Sequence, residues 1–103
     1  IQGNHTRPHW VLMTGPVEGA WASCLAMGHP KNFRHPQPVR LHPKMPYFCF
    51  APMVLGEFSI TQEASFDSRL RIVIADGQMT PEEANSFWSE YAVPIQAHAQ
   101  TAP

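Results

Sequence analysis

The sequence has no excess of either charge and no long apolar run. Seven lysines and arginines stand against eight aspartates and glutamates, which gives a formal net charge of −1 at pH 7. Nucleic-acid binding needs a basic patch or stripe, so this balance argues against DNA or RNA as a partner. No apolar segment approaches the roughly 20 residues that a membrane helix requires. We therefore expect neither nucleic acid nor a membrane as a partner.

Cysteine is scarce as well. The chain contains two cysteines, Cys24 and Cys49, and both have apolar neighbours. Because two cysteines make no disulfide framework, we expect two free buried thiols rather than a bridge. Cysteine usage therefore leaves the redox compartment, and with it the localisation, open.

The familiar catalytic motifs are also missing. The sequence contains no nucleophile motif, phosphate-binding glycine loop or dinucleotide fingerprint. Glu82 and Glu83 are explained by capping and the dipole of a helix, and Asp76 by turn formation before Gly77. No pair of carboxylates has a spacing typical of glycosidase acid–base chemistry.

Proline is what the sequence has in abundance, with eleven residues. Residues 28–38 (GHPKNFRHPQP), called the His/Pro loop below, combine prolines with two histidines, an arginine and an asparagine. Proline fixes its own φ and holds the preceding residue out of the helical region, which predicts a stiff polar loop. Side chains on a stiff loop start close to their bound positions, which favours a binding site.

Short β-prone segments separated by turn signals precede and follow this loop. In the clearest one, Leu70, Ile72 and Ile74 alternate with Arg69, Arg71 and Val73, which predicts two opposite strand faces. The strands predicted in this way, the first two as a hairpin, cover residues 9–14, 20–27, 39–41, 47–50, 57–61 and 66–75.

One helix is predicted near the C-terminus. Thr80, Pro81 and Glu83 fit an N-cap, the first helical position and a capping-box partner. An apolar face follows, assigned to the core by its helical spacing, and consists of Ala84, Phe87, Trp88 and Tyr91. The helix is expected to run to about Ala92, and residues 95–103 to form a disordered tail. The predicted fold is mainly β, a β-sandwich over residues 1–94 with one C-terminal amphipathic helix.

Three segments, in this order, resemble a known family: residues 10–19 (WVLMTGPVEG), 28–38 and 68–92 (SRLRIVIADGQMTPEEANSFWSEYA). They are similar to the C-terminal part of the PmoA-like family, labelled methane oxygenase PmoA and also catalogued as a DUF6807-type domain of unknown function. The resemblance implies a galactose-mutarotase-like supersandwich from a parent protein of sugar metabolism. It also implies a missing N-terminal half as a partner of this chain, in keeping with a start at Ile1.

The chain departs from the family pattern at three positions. Phe33 stands where a proline is usual, Val39 where a tryptophan is expected, and Ala75 where the histidine of a His-Asp-Gly sequence would be. The last change removes a titratable group, so no catalytic role is expected at that strand end.

A carbohydrate site is the functional interpretation that the loop favours. A neutral histidine near pH 7 can act as a general acid or base on an anomeric hydroxyl, so His29 and His35 are the candidate catalytic residues. Asn32, Arg34 and Trp10 are the candidate substrate-binding residues, as hydroxyl partners and an aromatic face, and Trp21 is an alternative source of that face. For Arg34 an equally favoured alternative is a clamp on carbonyl or carboxylate groups that holds the loop shut.

Metal binding is not favoured. His29, His35 and His42 lie six and seven residues apart in loops, and the prolines beside them do not make their imidazoles converge on one ion. We expect no metal ligands and no cofactor.

Three functions remain in order of preference. The first is part of an enzyme that acts on a sugar or sugar-derived small molecule, with the isolated fragment inactive. The second is a non-catalytic carbohydrate-binding or accessory module on the same scaffold. The third is a copper-dependent oxygenase, as the family label suggests.

Overall fold

The computed structural model describes residues 3–44 and 47–93. The predicted tail lies outside this range. The described elements, in chain order, are the strands β1 (Trp10–Val17), β2 (Ala20–Gly28), β3 (Val39–Leu41) and β4 (Phe48–Phe50), a 3-10 helix (Pro52–Leu55), the strand β5 (Leu70–Asp76) and the helix α1 (Pro81–Ala92). The mainly-β fold with one C-terminal helix is confirmed. None of the described helices is long and apolar enough to cross a membrane.

The strands form two antiparallel sheets. The larger has the order β1-β2-β5, and β3 pairs with β4 in the smaller. An open cavity of about 340 Å³ between them is lined mainly by apolar side chains, among them Ala26, Phe48, Phe50, Phe66 and Ile72. This arrangement is sandwich-like, and the galactose-mutarotase-like assignment stays a prediction.

The β1–β2 hairpin turns through Glu18 and Gly19, whose φ angles are +51° and +84°. Two positive φ values in a two-residue loop match the right-handed twist of the strands, and glycine adopts one of them without strain. The register pairs Val17 with Ala20 and Trp10 with Met27. Residues just before β1 therefore lie beside the end of β2.

The core lies between the larger sheet and α1. Leu25 and Met27 of β2 and Ala84 of α1 are completely buried. Partly buried side chains surround them, namely Trp10, Leu12, Val73, Met79, Trp88 and Tyr91. The assignment of Phe87 to the core is wrong, since its side chain is 37% exposed. Ala84, Trp88 and Tyr91 lie at i, i+4 and i+7, which leaves Phe87 on the flank of the buried stripe.

The start of α1 is fixed by the predicted capping box. The Thr80 side chain accepts a hydrogen bond from Glu83 N, and Glu83 Oε1 accepts one from Thr80 N at 2.9 Å. These two bonds satisfy backbone donors that a helix N-terminus leaves without partners. Buried Ser23 then holds the connection from β5, because its hydroxyl donates to Gly77 O and accepts from Met79 N.

The aliphatic face of β5 is the uncovered one. Leu70, Ile72 and Ile74 are 51%, 59% and 71% exposed, whereas Val73 is half-buried. The reason is the register, which sets Val73 opposite Leu25 and so on the helix-covered face. Residues opposite each other in an antiparallel pair share a face, so the alternating aliphatic side chains point away from α1.

The strand predicted over residues 57–61 is wrong. This segment has no strand structure, and neither do its neighbours up to Arg69. Phe58 packs instead on Phe33 and Phe66, with ring centroids 4.8 and 5.8 Å away. The apparent alternation reflects one anchored aromatic ring, because no second strand lies alongside to form a ladder.

Leu25→Ala is expected to lower the free energy of unfolding by about 2–5 kcal/mol, since it opens a cavity under α1. Ile74→Ala is the matched control and should change it by no more than about 0.5 kcal/mol, as an exposed substitution. Urea unfolding of both variants measures the difference. Equal losses would mean that the two faces of the sheet have been assigned wrongly.

Candidate functional site

Three histidines gather at one end of the larger sheet: His9, His29 and His35, called the histidine cluster below. His9 Nδ1 and His35 Nε2 are 3.2 Å apart, a hydrogen-bond distance. His29 lies close enough to His35 for its charge to act on that ring. Gly28 lies between them and donates its N–H to His9 O at 3.1 Å. The structure therefore brings together the two predicted catalytic histidines and adds a third.

Two aromatic side chains of α1 back this cluster. The Trp88 ring centroid is 4.3 Å from that of His9 and 6.1 Å from that of His35, to which it is nearly parallel. Its indole N–H donates to Gly28 O at 2.9 Å. Tyr91 meets His29 edge to face at 5.2 Å. The last turns of α1 thus provide the surface against which the imidazole rings pack.

The hydrogen bonds within the cluster determine which ring nitrogens remain available to a ligand. Since Nδ1 of His9 faces His35, the other nitrogen of His9, Nε2, has no partner among the described residues. His29 Nδ1 accepts from Lys31 N at 3.1 Å, which places the ring proton on Nε2. Two Nε2 atoms on different parts of the chain are therefore available to a ligand.

His35 is the inner member of the cluster. Its Nε2 is bonded to His9, and a methyl group added at Gly28 would lie 3.5 Å from its Nδ1. His35 thus positions His9, while His9 and His29 form the outer surface. A distance of 3.5 Å is an ordinary van der Waals contact, so the His35 ring packs directly over the backbone at residue 28.

Asn32 is engaged by the start of β5. Its Nδ2 donates to Arg69 O at 2.7 Å, and its Oδ1 accepts from Arg69 N at 2.8 Å. The amide side chain therefore acts as a short strand partner that ties the His/Pro loop to the sheet. Whether Asn32 also contacts a substrate stays a prediction.

Arg34 is a clamp on carbonyl groups. Its guanidinium donates to the carbonyl oxygens of Pro52, Gly56 and Glu57, at 2.9, 2.7 and 3.2 Å. The same group lies over the rings of Phe33 and Phe58. This is the alternative that the sequence left open for Arg34, and it directs the side chain toward the 3-10 helix and away from the histidine cluster.

Trp10 is committed to the interface with α1. Its indole N–H donates to Asn85 Oδ1 at 2.8 Å, and its ring packs against the core. Of the predicted site residues, the structure brings together His29 and His35. The side chains of Asn32, Arg34 and Trp10 are hydrogen-bonded within the protein, that of Asn32 to Arg69 beside His29.

Burial and neighbouring cations favour the neutral form of two imidazoles of the cluster, those of His29 and His35. The pKa of His35 is lowered first by burial and then by the charges of His9, His29 and Arg7. The pKa of His29 is lowered by burial and by Arg69 and Lys31. Both rings are therefore uncharged at pH 7, where a neutral imidazole can accept a proton or a hydrogen bond.

Metal binding needs more convergent ligands than the cluster provides. Within residues 3–44 and 47–93, no group of three or more His, Cys, Asp or Glu side chains is placed to hold a metal ion. Cys24 and Cys49 are free thiols on β2 and β4, as predicted, but the prediction that both are buried is wrong, since the first is half-buried and the second exposed.

The sequence did not predict two residues of the site, His9 and Trp88. A signal for His9 existed, because a hairpin that pairs Trp10 with Met27 sets residue 9 opposite Gly28 and beside His29. For Trp88 the helical spacing indicated only the core. Its contact with the histidines depends on how α1 lies across the sheet, which the periodicity of a single helix does not determine.

The comparisons identify a family and no characterised relative. A family model described as a family of unknown function, DUF6807, matches residues 1–89. No curated protein and no solved structure matches the chain. The predicted resemblance to a DUF6807-type domain is confirmed, and the match carries no link to methane oxygenase.

Arg34→Lys should destabilise the fold by about 1–2 kcal/mol, because an ammonium group cannot span three carbonyl oxygens as the guanidinium fork does. Arg40→Lys on β3 is the control, since Arg40 is exposed and makes no hydrogen bond with its side chain in the described structure. Chemical unfolding compares the two. An unchanged midpoint for Arg34→Lys would contradict the clamp.

Stability is expected to fall on acidification. His29 and His35 have lower pKa values in the folded chain than the usual 6.5, so the unfolded state binds more protons as the pH drops through 6.5. The free energy of unfolding therefore decreases from pH 7.5 to 5.5. His35→Gln should flatten this slope, as measured by urea unfolding at a series of pH values. A slope that is unchanged in the variant would refute the assignment.

Proposed function

The chain belongs to the DUF6807 family, and from its histidine cluster we propose that it binds a sugar-like small molecule and moves a proton on it. The imidazole pair at 3.2 Å carries the proposal, because Nε2 of exposed His9 has no partner among the described residues. His29 offers a second outward nitrogen for a hydroxyl group. Sugars present such hydroxyls in pairs, and each needs a donor or an acceptor at a fixed position.

The pair is suited to accept a proton. When His9 takes a proton at Nε2, its Nδ1–H donates to Nε2 of neutral His35. This hydrogen bond stabilises the imidazolium form of His9. The low pKa of His35 supports this role, because a second charged ring would offer no acceptor. A base held by a hydrogen-bonded neighbour is the usual arrangement in general acid–base catalysis. His9 would act on the ligand, and His35 would orient it.

The site also has a rigid base. Trp88 lies under the pair and is tied to the backbone at Gly28, and Asn32 ties the His/Pro loop to β5. The imidazoles are therefore held before any ligand arrives, which reduces the entropy lost on binding. Asn32, Arg34 and Trp10, predicted from the sequence to bind substrate, would contribute by holding the surrounding backbone in place.

A non-catalytic carbohydrate-binding module is the second candidate. The side chains of Asn32, Arg34 and Trp10 are already hydrogen-bonded within the protein, which favours this candidate. The histidines are then the polar groups of the cluster that a ligand can contact. Such a module would bind a sugar with these groups and leave it unchanged. The two candidates differ in turnover and share the binding surface.

A copper-dependent oxygenase, implied by the methane oxygenase label, ranks last. The described residues do not fit it, since no group of three potential ligands is placed to hold an ion. Copper analysis of the purified protein tests it. Copper at one equivalent per chain would reverse this ranking.

His9→Ala and His35→Ala should slow a proton transfer by about 10²–10⁴-fold while changing binding much less. The probe is galactose, whose binding is followed by chemical shift changes and whose α/β interconversion is followed by NMR exchange spectroscopy. His5→Asn is the control, because Asn also tolerates the positive φ of this position.

The outcomes separate the candidates. Acceleration by the native chain that both variants lose supports the enzyme. Binding without acceleration supports the module. If neither neutral nor charged sugars cause shift changes in residues 9, 28–35 and 88–91, the proposed function is wrong.

A further inference from the structure

Cationic side chains surround the histidine cluster. Arg69 and Lys31 act electrostatically on His29, and Arg7 acts on His35. Arg71 adds a fourth cation, with its guanidinium carbon 4.7 Å from the centre of the Tyr91 ring. These four residues are more than half of the seven lysines and arginines in the sequence, so positive charge is concentrated at this end of the sheet.

The side chain of Arg69 has no structural task in the described structure. Its backbone N and O hold Asn32, and its O also accepts from His29 N. The guanidinium forms no hydrogen bond or ion pair with the described residues. Lys31 is similar, since its backbone N donates to His29 Nδ1 while its ammonium group has no described partner.

Four of the eight acidic residues lie away from these cations, and Asp67 and Glu90, which are closer to them in the sequence, form no ion pair with the described residues. Glu18 is in the β1–β2 turn, and Asp76 pairs with Ala22, so both are at the other end of the larger sheet. Glu82 and Glu83 are in the first turn of α1, whereas Trp88 and Tyr91, which contact the histidines, are near its end. The charges that shift His29 and His35 are all cationic.

We propose that the ligand of this site carries an anionic group, a carboxylate or a phosphate ester, bound by Arg69 and Lys31 beside His29. This inference rests on the proposed function and names its substrate class, a sugar acid or a sugar phosphate. Arg71 lies on the same side through its contact with Tyr91. Guanidinium and ammonium groups recognise both oxyanions, the first with a planar fork and the second as a point charge.

The arrangement gives an anion a clear advantage over a neutral ligand. Gathered cations repel one another, and a bound oxyanion relieves that repulsion while it forms charge-assisted hydrogen bonds. The same anion would also favour the protonated form of His29. Binding should therefore raise the pKa of His29, an effect that a ligand bound elsewhere would not produce.

Four probes test the proposal by calorimetry at low salt: glucose, glucuronate, glucose 6-phosphate and inorganic phosphate. Glucuronate, glucose 6-phosphate or both should bind at least about tenfold more tightly than glucose, because charge-assisted hydrogen bonds are stronger than hydrogen bonds between neutral groups. This preference should weaken as salt is added. Whichever anion binds more tightly identifies the carboxylate or the phosphate ester as the natural group.

Arg69→Gln should remove the preference for the anionic probes and leave glucose binding unchanged, because the backbone bonds of residue 69 remain. Arg40→Gln removes an equal charge from β3 and should retain the preference. Thermal unfolding checks that each variant folds. If Arg69→Gln does not fold, Lys31→Gln takes its place with the same expectation.

Each remaining outcome decides between the two proposals. Equal affinity for glucose and for both anionic sugars overturns the anionic subsite and leaves the sugar site standing. Binding of inorganic phosphate that depends on Arg69, without binding of glucose and with no gain from the sugar moiety, supports the subsite and overturns the proposed function. No binding of any probe overturns both.

Discussion

The antiparallel register of the larger sheet is the constraint on which the site depends. It pairs Trp10 with Met27 and Gly28 with Leu70, so three strands end together. The residues just beyond these ends are His9, His29 and Arg69, which meet although up to 60 positions separate them in the sequence. A shift of one residue in the strand register would move every side chain to the opposite face of the sheet, and these three residues would no longer meet. The hairpin turn at Glu18 and Gly19 sets that register.

The His/Pro loop shows a second constraint, the need to satisfy backbone carbonyl groups. Proline removes backbone donors from the loop and its surroundings, but the carbonyl oxygens still require partners. Side chains supply them. Arg7 donates to Pro36 O, Gln37 to Phe33 O, and Arg34 to Pro52 O. In this proline-rich segment, arginine and amide side chains therefore serve as hydrogen-bond donors to backbone carbonyl groups. This explains why the residues that suggested ligand binding are not all at the site.

Local signals predicted local structure well. The capping box at Thr80 and the hairpin needed only neighbouring residues, and both are present. The segment 57–61 failed because alternation describes a strand only when another strand lies beside it. Two of the histidines were found from loop composition, but His9 required the hairpin register and Trp88 required the position of α1. These are tertiary facts, and no periodicity within one element contains them.

The balanced net charge conceals an uneven distribution. Averaged over the chain, acidic and basic residues nearly cancel, which argues against the extended basic stripe that nucleic-acid-binding proteins carry. The cations that lack carboxylate partners are few and lie together, beside histidines whose rings are neutral. Such a group matches one small oxyanion better than a series of phosphates spaced along a strand. Chain-level charge thus argues against a macromolecular polyanion, while the folded arrangement supports the proposed binding of a single anionic group on a small molecule.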